Sequence, residues 1–140
     1  MPPINLVAVL FAAVSAFVLG FLFHGPVFGK LWMRLANIHP TGNEKVADML
    51  PQLFWNFVVN LITALTLALV YMWSYTSPFL GGPGISTGMI VAFHVWLGFL
   101  VTTTSIEVIW MGRTLKLWLF EACASLVVML VMGAIIGYSM

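Results

Sequence analysis

Four long apolar stretches, parted by short polar or glycine-rich breaks, constrain this chain more than any other feature. They run over about residues 4–23, 52–73, 88–110 and 115–138. A hydrocarbon core of about 30 Å needs roughly 20 apolar residues per helical span. Inside lipid the backbone has to satisfy its own hydrogen bonds, which makes each stretch a helix. A water-soluble domain keeps about a quarter of its residues charged; here 6% are charged and 62% are hydrophobic. The expected fold is an all-α membrane protein, a single transmembrane domain over 1–140 with four helices in an antiparallel up-down bundle. No length remains for a separate soluble domain.

The first stretch has no basic segment before it and no clear small-x-small cleavage site before His24, so a retained helix is expected rather than a signal peptide. Residues 29–51 form the polar loop, with Lys30, Arg34, Glu44, Lys45 and Asp48. Within it Thr41-Gly42-Asn43-Glu44 fits a capping box, predicting a short surface helix over 44–50. Pro51 then suits the first turn of the second span, where its missing N–H costs nothing. The segment 76–87, with Pro78 and Gly81-Gly82-Pro83-Gly84, breaks the helix by turn chemistry. Ser86 or Thr87 is available as N-cap of the third span. Met111-Gly112-Arg113-Thr114 makes a tight turn into the fourth.

All five Lys and Arg residues fall in two loops: Lys30, Arg34 and Lys45 in the first, Arg113 and Lys116 at the third. Basic loops stay cytoplasmic, so both termini are expected outside, N-out and C-out, in a bacterial inner membrane. Trp32, Trp55, Trp110 and Trp118 would then mark the cytoplasmic edge, and Tyr71, Trp73, Tyr75 and Tyr138 the outer one.

Small residues let membrane helices approach closely. Ala8, Ala12, Ala16 and Gly20 form an i, i+4 stripe on the first helix, and Gly133 and Gly137 a GxxxG on the fourth. The favoured expectation is that these two faces meet and close the bundle; the other is a seam between copies of the chain.

Polar groups at depth need partners. Asn56/Asn60, Thr103/Glu107 and Glu121/Ser125 are each spaced i, i+4, which gives three polar stripes at matching depth near the cytoplasmic edge. Their convergence predicts a polar pocket with Arg113 and Lys116 at its mouth. Such a pocket could hold a cation, a proton or a polar headgroup. Alternatively, Glu107 and Glu121 snorkel to the interface and pair with Arg113 or Lys116, fixing the turn. His94 is expected to be a hydrogen-bonded packing residue, and Cys123 a small packing residue. No metal or cofactor is expected.

Phe23-His24-Gly25-Pro26-Val27-Phe28-Gly29-Lys30-Leu31-Trp32 carries an aromatic-x-x-Pro-x-Phe-Gly-Lys-x-Trp pattern. Downstream come Trp96-Leu97-Gly98-Phe99, the run Thr102 to Thr104, Gly112-Arg113-Thr114-Leu115-Lys116-Leu117, and Met132-Gly133-Ala134-Ile135-Ile136-Gly137. In that order these motifs resemble the domain-of-unknown-function 1761 family of small membrane proteins. The chain departs from that pattern at His24-Gly25, where many relatives carry Tyr-Ser, and at Met111, where an acidic residue often stands. The resemblance implies a four-helix membrane fold and no particular activity.

The functional expectation is a non-catalytic bundle that binds or organises a lipid, a membrane-protein partner or itself. The alternative is a parallel oligomeric transporter of a small solute or ion, working through the cytoplasmic-side carboxylates. An antiparallel dual-topology transporter is excluded by the one-sided cations. An enzyme lacks a nucleophile–base pair, and nucleic acid lacks a basic stripe. Single cysteines placed at Lys45 and at Thr114, in a Cys123→Ser background, should react with an impermeant thiol reagent from the same side of the membrane. Labelling from opposite sides would remove the four-span reading.

Overall fold

The computed structural model describes residues 4–43, 45–74 and 76–140. Its helices are α1 (Leu6–His24), α2 (Gly29–Leu35), α3 (Leu50–Ser74), α4 (Ile85–Val95), α5 (Thr102–Trp110) and α6 (Leu115–Ser139). A π-helical stretch, Trp96–Val101, joins α4 to α5 without a break, so these three pieces are one span. The four spans are long and apolar enough to cross a membrane. Large apolar side chains such as Phe11, Phe54, Ile62, Phe99 and Ile109 stay exposed on them. Lipid, not water, suits such a surface.

Local chemistry sets the helix ends. Asn5 caps α1, its side-chain oxygen accepting from the amides of Val7 at 3.1 Å and Ala8 at 3.2 Å. The Asn5 amide also donates to the Ser139 carbonyl, at 3.4 Å, and so places both ends of the chain together. The third span begins three residues earlier than the sequence suggests. Gly84, not Ser86 or Thr87, is its N-cap, and Thr87 lies buried in the first turn. The Thr87 hydroxyl donates to the carbonyls of Leu80, at 2.9 Å, and Gly82, at 2.5 Å. Tyr71 is also buried instead of lying in an interfacial belt: its phenol oxygen accepts the Gly84 amide at 3.0 Å. Pinning the glycine-rich loop takes up both polar groups.

The polar loop differs as well. Its helix is α2, directly after the turn at 25–28, while Val46–Met49 form a single 3₁₀ turn that runs on into α3. Glu44 of the expected capping box and Tyr75 of the expected belt lie outside the described residues. Lys45 precedes the 3₁₀ turn with no side-chain cap. Among the expected belt tryptophans Trp55 and Trp110 are exposed, whereas Trp32 and Trp118 are partly buried and hydrogen-bonded inside.

In the bundle α1 packs on α3 and α6, and α4 packs chiefly on α6 and more lightly on α3. Burial is uneven along it. Val9, Ala12, Ala13 and Ala16 of α1, Ala64, Leu67, Ala68 and Tyr71 of α3, Val91 and Ala92 of α4, and Met129, Met132 and Ile136 of α6 form the core. Neither the π stretch nor α5 contributes a buried residue. The half that holds the chain termini is closed, and the half that holds the basic loops is open.

The closed half depends on glycine. A Cβ on Gly88 would strike the Gly133 carbonyl, and one on Gly133 would strike the Gly88 carbonyl and the Ala92 methyl. A Cβ on Gly137 would meet the Gly84 carbonyl. The fourth helix therefore turns its glycine face to the third span. This corrects the expected meeting of Gly133 and Gly137 with the alanine stripe: α1 does pack on α6, but on a different face. Gly20, the last member of that stripe, has nothing within 4 Å of where its Cβ would stand.

Gly88→Ala and Gly133→Ala should each destabilise the protein by at least about 2 kcal/mol, because the obstructing atoms are backbone and cannot rotate away. Gly20→Ala should leave stability unchanged or slightly raised. Thermal unfolding in mild detergent, followed by circular dichroism, separates the two outcomes.

Candidate functional site

Where the helices part, a cavity of about 650 Å³ opens between α1, α3, the π stretch with α5, and α6. Its inner end is apolar, walled by Ala16, Val128, Met129 and Met132. Its polar end lies towards the basic loops and includes Asn56, Asn60, Thr104 and Glu121. Among the described residues α5 approaches neither α1 nor α3, so between α3 and α5 no helix contact closes the bundle.

Several local devices build the wall. His24, at the end of α1, donates from Nδ1 to the Gly20 carbonyl at 3.0 Å. The turn after it brings α2 back across the basic end, and Trp32 stacks edge-on against His24 with ring centroids 5.2 Å apart. Trp32 Nε1 then donates to Glu121 Oε1 at 3.4 Å. On α3, Asn60 bonds back to Asn56, donating to its carbonyl at 2.9 Å and to its amide oxygen at 3.3 Å. On the facing side Trp118 donates to the Thr104 hydroxyl, and Trp96 to the Ser125 hydroxyl, both at 3.0 Å.

Beside the cavity sits a charged cluster. Gly112, with φ +68°, reverses the chain after α5, and the Arg113 amide donates to the Glu107 carbonyl at 3.1 Å. The Arg113 guanidinium then bridges two carboxylates, Nη1 to Glu107 Oε2 and Nη2 to Glu121 Oε2, the latter at 2.5 Å. Partial burial of all three groups strengthens the pairing relative to bulk water. Glu121 belongs to both arrangements, held by Arg113 through one oxygen and by Trp32 through the other.

The eight polar residues singled out in the sequence thus divide. Asn56, Asn60, Glu121 and Ser125 line the cavity. Glu107 and Arg113 stand behind it in the ion cluster, and Lys116 is exposed with no ion pair among the described residues. Thr103 points away: it is exposed, and its hydroxyl donates to the Phe99 carbonyl. Thr104 takes the place expected of Thr103. His24, Trp32, Thr63 and Trp118 also line the cavity and were not foreseen there. His94 is hydrogen-bonded to the Ile90 carbonyl at 2.8 Å but faces outward. Cys123, expected to pack inside, is exposed, because it lies on the lipid side of α6.

The family model described as "Protein of unknown function (DUF1761)" matches residues 7–137. The chain belongs to this family. No functionally curated protein and no solved structure matches it. Within this DUF1761 protein the segment Phe23–Trp32 turns the chain beneath α1 and delivers Trp32 to Glu121.

Arg113→Gln should destabilise the protein by about 1–3 kcal/mol, since it leaves two half-buried carboxylates facing each other without a cation. Glu107→Gln should cost less. The Arg113/Glu107 pair should show a coupling of at least about 0.5 kcal/mol in a double-mutant cycle read by thermal or chemical unfolding.

Proposed function

We propose that this DUF1761 protein is a non-catalytic membrane protein whose chamber binds a lipid-like molecule, with the basic loops cytoplasmic and both termini on the opposite side of a bacterial inner membrane. One observation carries the reading: a cavity of about 650 Å³, apolar at mid-span and polar at the basic end, lies where α3 and α5 do not touch. Ligand cavities of about 300–1,000 Å³ are mostly apolar with a few polar groups that fix orientation, and this one has that division along its length. A molecule with an alkyl chain could enter sideways between α3 and α5 without crossing water.

The position of every Lys and Arg at one end supports the orientation, since basic loops are retained on the cytoplasmic side. The geometry around Glu107 and Glu121 counts against the other reading, a parallel oligomeric ion or solute transporter. Arg113 engages both carboxylates, so neither stands as a bare group ready to exchange an ion.

Native mass spectrometry in mild detergent tests the proposal. Wild-type protein should retain one lipid-sized adduct under activation that strips loosely bound lipid. Gly20→Phe, which places a ring in the open space beside α1, should lose that adduct while keeping its helicity and thermal midpoint. Equal retention by both proteins would sink the reading.

A further inference from the structure

Hydrogen-bond accounting over the chamber wall says what kind of head the ligand carries. The hydroxyls of Thr63, Thr104 and Ser125 each donate to a carbonyl of their own helix, those of Val59 at 2.9 Å, Leu100 at 2.7 Å and Ala122 at 2.9 Å. Asn60 Nδ2 donates to Asn56 at both its carbonyl and its amide oxygen, and the indole N–H groups of Trp32 and Trp118 go to Glu121 and Thr104. His24 spends its Nδ1 proton on Gly20, which in the neutral ring leaves Nε2 as an acceptor. Among the described polar side chains lining the chamber, only that of Asn56 keeps a donor uncommitted. Lone pairs remain on Asn60 Oδ1, on the three hydroxyls and on the Glu121 carboxylate.

Charge points the same way. Among the described residues no Lys or Arg lines the chamber, and in the cluster beside it one guanidinium faces two carboxylates, leaving one negative charge over. An anionic head beside this cluster would meet acceptors and its one unbalanced carboxylate charge; an ammonium would meet partners for its protons and an opposite charge.

We propose that the chamber selects a cationic amphiphile: a single long alkyl chain, lodged against Ala16, Met129 and Met132, ending in a protonated amine that donates to Asn60 and Glu121. This rests on the chamber reading above and names the ligand class for the same site.

The test uses full-length protein in nanodiscs of zwitterionic phosphatidylcholine at neutral pH. Three amphiphiles share one brominated alkyl chain and end in an ammonium, an alcohol or a carboxylate. Bromine quenches indole fluorescence on contact, and Trp32 and Trp118 line the chamber. Quenching in the Gly20→Phe protein measures partition into bilayer alone and is subtracted. The ammonium should bind at least about tenfold more tightly than the carboxylate, with the alcohol between them. Glu121→Gln should reduce that preference to below about threefold. Because this change also releases Arg113, Asn60→Leu serves as a second variant away from the cluster, and it should weaken ammonium binding about threefold or more without changing the carboxylate's. Carboxylate binding as tight as ammonium binding, or full ammonium preference in both variants, overturns the assignment and leaves the chamber standing. Identical quenching of wild type and Gly20→Phe by all three amphiphiles removes the chamber itself, and this proposal with it.

Discussion

Backbone contact between α4 and α6 governs the rest of the structure. Lipid gives helices no hydrophobic reason to associate, so they adhere where van der Waals contact is closest. Gly84, Gly88 and Ala92 on one helix and Gly133 and Gly137 on the other bring carbonyls into a distance that no side chain could share. The contact lies wholly in the half holding the termini, where the alanines of α1 and α3 also pack. Towards the basic loops the facing residues become Phe, Trp, Asn and Thr, too bulky for that approach. One tight end and a graded increase in side-chain size produce a splayed end, and the cavity follows from the splay.

An open end in a helix bundle has to be held open. Arg113 does so from the side: pairing with Glu107 across its own turn and with Glu121 nearly two turns into α6, it ties the end of the third span to the fourth. Trp32 reaches Glu121 from α2, so three segments converge on one carboxylate. Each polar bond here would be weak in water. In a low-dielectric setting it is strengthened, and leaving any member unpaired is the expensive outcome. The same side chains that fix the frame therefore also set the charge at the chamber's polar end.

Much of this was legible in the sequence, and what was missed has physical causes. The four spans follow from apolar run length, and the shared depth of Asn56, Asn60, Glu121 and Ser125 follows from helical rise. The partner of Gly133 and Gly137 was misread because the matching stripe on the third span, Gly84, Gly88 and Ala92, begins inside what reads as a turn. The glycine that ends the loop is also the first contact of the helix pair. Tyr71 and Thr87 read as interfacial and capping residues, since nothing in a one-dimensional pattern shows that a neighbouring loop folds back to use their hydroxyls. Cys123 was placed inside by its small neighbours, yet Ala124, one position on, occupies the buried face.

The exchange of Thr103 for Thr104 has a sharper explanation. The inward positions of α4, Gly88, Ala92 and Val95, extrapolate at α-helical spacing to 99 and then 103. The π stretch Trp96–Val101 adds in effect one residue to the span, so the inward face resumes at Leu100 and Thr104, both of which line the cavity. Widened turns loosen the carbonyl ladder, and here four successive hydroxyls compensate: Thr102, Thr103, Thr104 and Ser105 donate back to the carbonyls of Gly98, Phe99, Leu100 and Val101. The polar run that contains Thr103, expected from sequence to face a pocket, is in large part the repair of this irregularity. Only Thr104 serves both purposes, bonding Leu100 behind it and accepting Trp118 across the gap. Without the extra residue the span would turn Thr103 inward and carry Thr104 away from Trp118, so the π stretch is what registers the third span to the chamber.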